Sequence, residues 1–129
     1  MRFDHVGVAT RDAAALADLF GTLFDTPVAH RETVDGLDVT FLDLGNGYVE
    51  LLEPLDDDEG PIPRYLDREG PGIHHVALAT PDVAAALSAA RDHGVELVDE
   101  TPRPGAWGHE VAFLHPRSTG GVLVEFVEH

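Results

Sequence analysis

The chain repeats itself. With an offset of 70, "FDHVGVAT" (3–10) lies over "IHHVALAT" (73–80), so that His5 falls on His75, Val6 on Val76, Ala9 on Ala79, Thr10 on Thr80 and Asp12 on Asp82. Further along, "YVELLEP" (48–54) matches "LVEFVEH" (123–129) and sets Glu50 against Glu125. A repeated unit of this size is one supersecondary element whose apolar face must be covered by something else, which limits the chain to paired architectures. His74 falls on Asp4, so only one histidine of "GIHHVALAT" has a counterpart.

Within the first copy, residues 2–9 read as a strand and "RDAAALADLFGTLF" (11–24) as an Ala/Leu/Phe-rich helix with Asp12 near its start. Strands follow over about 28–34, 37–44 and 48–53, with Gly36 and the Asn46-Gly47 pair supplying hairpin turns. In the second copy a strand over "GIHHVALA" leads to a helix bracketed by Pro81 and Gly94, then to strands near 95–99, 109–114 and 121–127. "PLDDDEGPIPRYLDREGPG" between the copies reads as a linker with a short helix over 62–69, and its acidic run Asp56–Glu59 as a solvated loop. The expectation is an α+β fold in a single domain spanning 1–129. Repeat 1 covers about 2–54, the linker about 55–71 and repeat 2 about 72–128. Two tandem βαβββ units would then form a curled, cup-shaped mixed sheet.

Charge narrows the partners. Twenty-four acidic side chains face eight basic ones, all of them Arg, for a formal net charge of −16. Such a surface repels nucleic acid and anionic membranes, so neither is expected as a partner. It suits a high-salt cytoplasm, where screening limits self-repulsion, and a halophilic source is inferred. With no cysteine, disulfides, thiolate catalysis and sulfur-ligated metal drop out. No apolar run reaches membrane-spanning length and no secretory signal is present, so a soluble cytoplasmic protein is expected.

Glu50 and Glu125 sit inside apolar strands, where an uncompensated charge is expensive to bury. Each copy therefore offers one His on its first strand and one Glu on its last. If the copies pair about a pseudo-twofold axis, His5, Glu50, His75 and Glu125 converge on an N/O site for a divalent ion such as cobalt, manganese, nickel, iron or zinc. Without thiolates, open coordination positions for water or substrate are expected. In a regular strand His74 points to the face opposite His75 and stays outside this set. His30, His93, His109, His115 and His129 read as surface or loop residues, with His109 and His115 flanking the strand nearest the cup.

These motifs resemble the vicinal oxygen chelate superfamily over nearly the whole chain. Within it, "FDHVGVAT", "FLDLGNGYVELLEP", "GPGIHHVALAT" and "FLHPRSTGGVLVEFVE" look like the methylmalonyl-CoA epimerase family, the last stretch being the most specific. The low-Lys, acidic composition looks haloarchaeal. The resemblance implies metal-dependent interconversion of (2R)- and (2S)-methylmalonyl-CoA by α-proton abstraction, with cobalt or manganese favoured. It assigns His5, Glu50, His75 and Glu125 as ligands, the set the repeat proposes independently, and Glu125 as a metal-bound base. Relatives are often homodimers.

Epimerisation needs a second proton-transfer group. Some family members carry a Glu on the strand matching 37–44, where this chain offers Asp38 as the nearest acid; Glu50 and a bound water are alternatives. "PGAWGHE" (104–110) departs from the family's usual Gly-Ala-His-Gly, with Trp107 in place of that His. Arg117 is the candidate contact for a CoA phosphate or carboxylate. The rival readings are a glyoxalase I-like lactoylglutathione lyase, whose last hairpin more often holds Asp-Pro-Asp-Gly, and a non-catalytic small-molecule binding module on the same fold.

Overall fold

The computed structural model describes residues 1–56 and 58–129; Asp57, in the acidic run, lies outside the described residues. The chain divides into two compact units, His5–His74 and Met1–Asp4 with His75–His129.

The first unit is built from β1 (Arg2–Ala9) from His5 onward, α1 (Ala13–Leu23), β2 (Val28–Val34), β3 (Leu37–Asp43), β4 (Tyr48–Pro54) and α2 (Pro61–Glu69). Its strands lie in the order β2-β3-β4-β1, with β1 parallel to β4 and the other pairs antiparallel. Asp35 and Gly36 both adopt positive φ (51° and 78°), the geometry that a two-residue hairpin loop requires. Two acids cap α1: the Asp12 side chain accepts from Ala15 N (3.0 Å), and Glu53 at the end of β4 accepts from Ala13 N (2.7 Å). Ala13, Leu42, Val49 and Leu51 form the core beneath this helix. Fully buried leucines such as Leu42 and Leu51 each contribute about 1.5–3 kcal/mol relative to exposure. Strand alternation then places Tyr48, Glu50 and Leu52 on the face turned away from α1.

Pro61 starts α2 and Gly70 ends it, over the span predicted for the short helix. Its Tyr65 hydroxyl donates to the Ile73 carbonyl (2.7 Å), and the Tyr65 ring stands perpendicular to His74 at 5.1 Å. The unduplicated histidine thus packs against α2.

The second unit repeats the plan with β5 (Gly72–Ala79), α3 (Val83–Asp92), β6 (Arg103–Pro104), β7 (Glu110–Leu114) and β8 (Val124–Glu128). β5 is parallel to β8, and β7 pairs antiparallel with both β8 and β6. The caps recur: Asp82 accepts from Ala85 N and Glu128 from Val83 N, each at 3.0 Å. Val83 and Leu87 of α3 pack on Ala112, Leu114 and Phe126, leaving Ala77, Ala79, Val111 and Val127 on the other face.

One predicted strand is corrected. Residues 95–99 make a single bridge, Leu97 to Leu114. Val98 N and Asp99 N both donate to the Phe113 carbonyl, and the Asp99 carboxylate accepts from Phe113 N at 2.8 Å. A side chain occupies the ladder position that a backbone carbonyl would take, so pairing stops and resumes only at β6.

Candidate functional site

His5 is carried by β1, on the face away from α1, and lies in register with Tyr48 of the parallel neighbour β4. It is 4 % exposed and Glu50 6 %, and His5 Nε2 stands 3.3 Å from Glu50 Oε1. Phe41 is paired with Glu50 across β3 and β4, and its ring is perpendicular to the imidazole (87°, centroids 5.7 Å apart). The second unit carries the same trio. His75 and Glu125 are equally buried, His75 Nε2 lies 3.6 Å from Glu125 Oε1, and Phe113 pairs with Glu125 while standing perpendicular to His75 (85°, 5.3 Å). A carboxylate buried among apolar strands calls for a positive partner, and in each unit an imidazole Nε2 stands beside one. The donor types and burial fit a divalent ion.

The aromatic wall of each pair escaped the sequence reading. Its only signal is the ladder register, which sets Phe41 and Phe113 opposite the two glutamates.

Asp38 is not brought to this face. It pairs with Glu53 across the ladder, on the α1 side, and Arg31 grips it through Nη2 (2.8 Å) and Nε (3.2 Å). That hydrogen bond, followed by the charge of Asp38, raises the Arg31 pKa. Arg117 is likewise engaged: its Nε and Nη2 meet the two Glu96 oxygens at 2.7 and 3.1 Å, in a largely exposed pair. His115 Nδ1 accepts from Arg117 N and caps the short turn Pro116–Ser118.

Two histidines read as surface or loop residues do lie there, His129 exposed and His109 in the loop before β7, and both are engaged. His129 Nε2 meets buried Asp4, and the His109 ring lies 4.0 Å from that of His129, with Trp107 stacked on His109. Trp107 holds φ at +63°, and nearby Gly105 has no room for a side chain, since a Cβ there would meet Val111 Cγ1 at 2.8 Å. The loop over 104–109 is therefore pressed onto the Val111 face of its sheet. His30 and Glu32, on β2, share the His5 face: they pair in register with Phe41 and Val39, and His30 Nε2 stands 3.6 Å from Glu32 Oε1.

The sequence profile of the Glyoxalase/Bleomycin resistance protein/Dioxygenase superfamily matches residues 4–113. An ethylmalonyl-CoA/methylmalonyl-CoA epimerase of Cereibacter sphaeroides is 36 % identical over 128 residues, covering 96 % of this chain and 95 % of that one. The chain belongs to the methylmalonyl-CoA epimerase family of that superfamily. A mitochondrial methylmalonyl-CoA epimerase of Dictyostelium discoideum is a further family member, 35 % identical over 98 % of this chain and 78 % of its own. Among solved structures, a Streptomyces coelicolor methylmalonyl-CoA epimerase in complex with 2-nitronate-propionyl-CoA superposes with a TM-score of 0.91 at 34 % identity, covering 99 % of this chain and 94 % of that chain. The βαβββ tandem is thus the vicinal oxygen chelate fold of the epimerase family.

Proposed function

We propose that this chain interconverts the 2R and 2S epimers of methylmalonyl-CoA, with His5, Glu50, His75 and Glu125 holding one divalent ion, cobalt or manganese. The observation that carries the reading is the duplicated pair: two buried carboxylates, each within 3.6 Å of an imidazole nitrogen, at matching places in two repeats. A bound divalent ion would supply Lewis-acid stabilisation of the negative charge developing at the thioester and carboxylate oxygens. His5 and His75 would hold the ion through their ring nitrogens, and Glu50 would contribute compensating charge. Glu125 accepts the C2 proton, while the C–H electron pair moves into the thioester carbonyl. Proton return from the opposite face gives the other epimer.

The apolar side chains of Leu19, Leu23, Phe24 and Val28 are exposed at the end of α1 and the start of β2, and they support a homodimer as the working form. No helix among the described residues is long and apolar enough to cross a membrane. The acidic, cysteine-free composition supports a cytoplasmic setting in high salt.

The test follows the α-proton of methylmalonyl-CoA by NMR in deuterated, high-salt buffer. Protein is assayed as purified, after chelator treatment and after cobalt is restored. Loss of the proton signal only with metal present is expected. A signal that persists with folded, metal-loaded protein overturns the reading and moves lactoylglutathione lyase chemistry to the front.

A further inference from the structure

The geometry points to Glu32, backed by His30, as the second proton-transfer group of the epimerisation proposed above, on which this assignment rests. The reaction needs an acid-base group for each face of C2, and the duplicated ligand pairs leave one unassigned. Asp38 cannot serve, because it lies on the α1 side and is gripped by Arg31. On the strands of the first unit, the titratable side chains sharing the Glu50 face are His5, Tyr48, Asp43, His30 and Glu32. Asp43 is committed to the β3–β4 turn, where it accepts from Gly45 N at 2.7 Å. His5 is the proposed ligand. Tyr48 stands in register with that proposed ligand and pairs with Asp43 at the turn end of the β3–β4 ladder.

His30 and Glu32 remain, and their surroundings suit the role. Both side chains are about 30 % exposed (28 % and 30 %), open enough for the Glu32 carboxylate to meet a ligand, while the His30 Nε2 atom beside it is buried. They alternate with outward-facing Arg31 and Thr33 along β2, so both point across the sheet toward the Phe41–Glu50 row. His30 Nε2 stands 3.6 Å from Glu32 Oε1, which places the imidazole to support the carboxylate as it gives or takes a proton. The pair has no copy in the second unit, where the strand beside β7 is only Arg103–Pro104. Metal ligation repeats because two half-sites share one ion; proton delivery to a single face does not.

In the balanced step, Glu125 takes the C2 proton and the C–H pair moves into the thioester carbonyl. Protonated Glu32 then gives its proton to the opposite face of C2, the pair returns to form the new C–H bond, and Glu32 is left as the carboxylate beside His30. In the reverse direction the roles exchange.

Glu32→Gln keeps the shape and removes the base. In deuterated buffer the cobalt-loaded variant should wash deuterium into one epimer through Glu125, lose exchange from the other, and epimerise about 100-fold or more slower with little change in KM. Glu32→Asp should recover part of the lost exchange, and the visible cobalt spectrum should match that of the wild type. Wild-type exchange from both epimers by Glu32→Gln overturns the assignment, as does equal loss from both together with an altered cobalt spectrum. Failure of the wild-type protein itself to exchange either epimer removes the epimerase reading and this assignment with it.

Discussion

Glu53 stands three residues beyond Glu50 on β4 and turns the other way, reaching beneath α1 to accept the backbone hydrogen bond of Ala13 at 2.7 Å. One strand thus carries a buried carboxylate on one face and a helix cap on the other. Glu128 and Val83 repeat the arrangement beyond Glu125. Glu53→Ala and Glu128→Ala are each expected to destabilise by about 1 kcal/mol in chemical denaturation, the usual loss for a helix cap, while leaving the visible spectrum of bound cobalt unchanged.

Phe41 and Phe113 orient the two imidazoles by packing perpendicular to them. Phe41→Leu and Phe113→Leu preserve apolar burial but free the ring. Cobalt affinity, measured by equilibrium dialysis, should fall roughly tenfold in each, in line with lost support around a ligand. Phe→Tyr at either position should keep more of it.

Metal binding should appear as folding stability. Cobalt at a hundred times its Kd is expected to stabilise the protein by about 2.7 kcal/mol, read as a rise in denaturation midpoint. Glu125→Ala, which removes one proposed ligand, should lose most of that gain.

Asp38→Asn separates composition from placement. The Arg31 partner lies open to water, so little stability should be lost with the ion pair. Epimerisation rate should stay within about twofold of wild type, because the side chain faces α1; a steady-state assay checks it.

The repeat made the tandem plan and the two His–Glu pairs legible, because a period of two along β4 and β8 assigns faces without knowledge of neighbours. Glu32 and Asp38 show where that stops. Both are acids in amphipathic strands, and only the β2–β3 and β3–β4 registers reveal that they occupy opposite faces. Arg117 reads as a free cation in a turn until Glu96, 21 residues away, closes on it. The missing strand at 95–99 had the right composition, but Asp99 turns its side chain into the ladder, a tertiary choice that propensity does not record. His74 drew attention as half of a pair, and its contact with Tyr65 depends on how the linker helix folds back.

The strand order of the second unit ends in β6, two residues long and one of them proline. Proline offers no amide hydrogen, and the Arg103 side chain keeps charge at that border. A further chain seeking to add itself strand by strand finds almost no ladder to copy there. The interruption at Asp99 therefore also acts as protection against edge-to-edge aggregation, a useful property where salt has screened the repulsion between acidic surfaces.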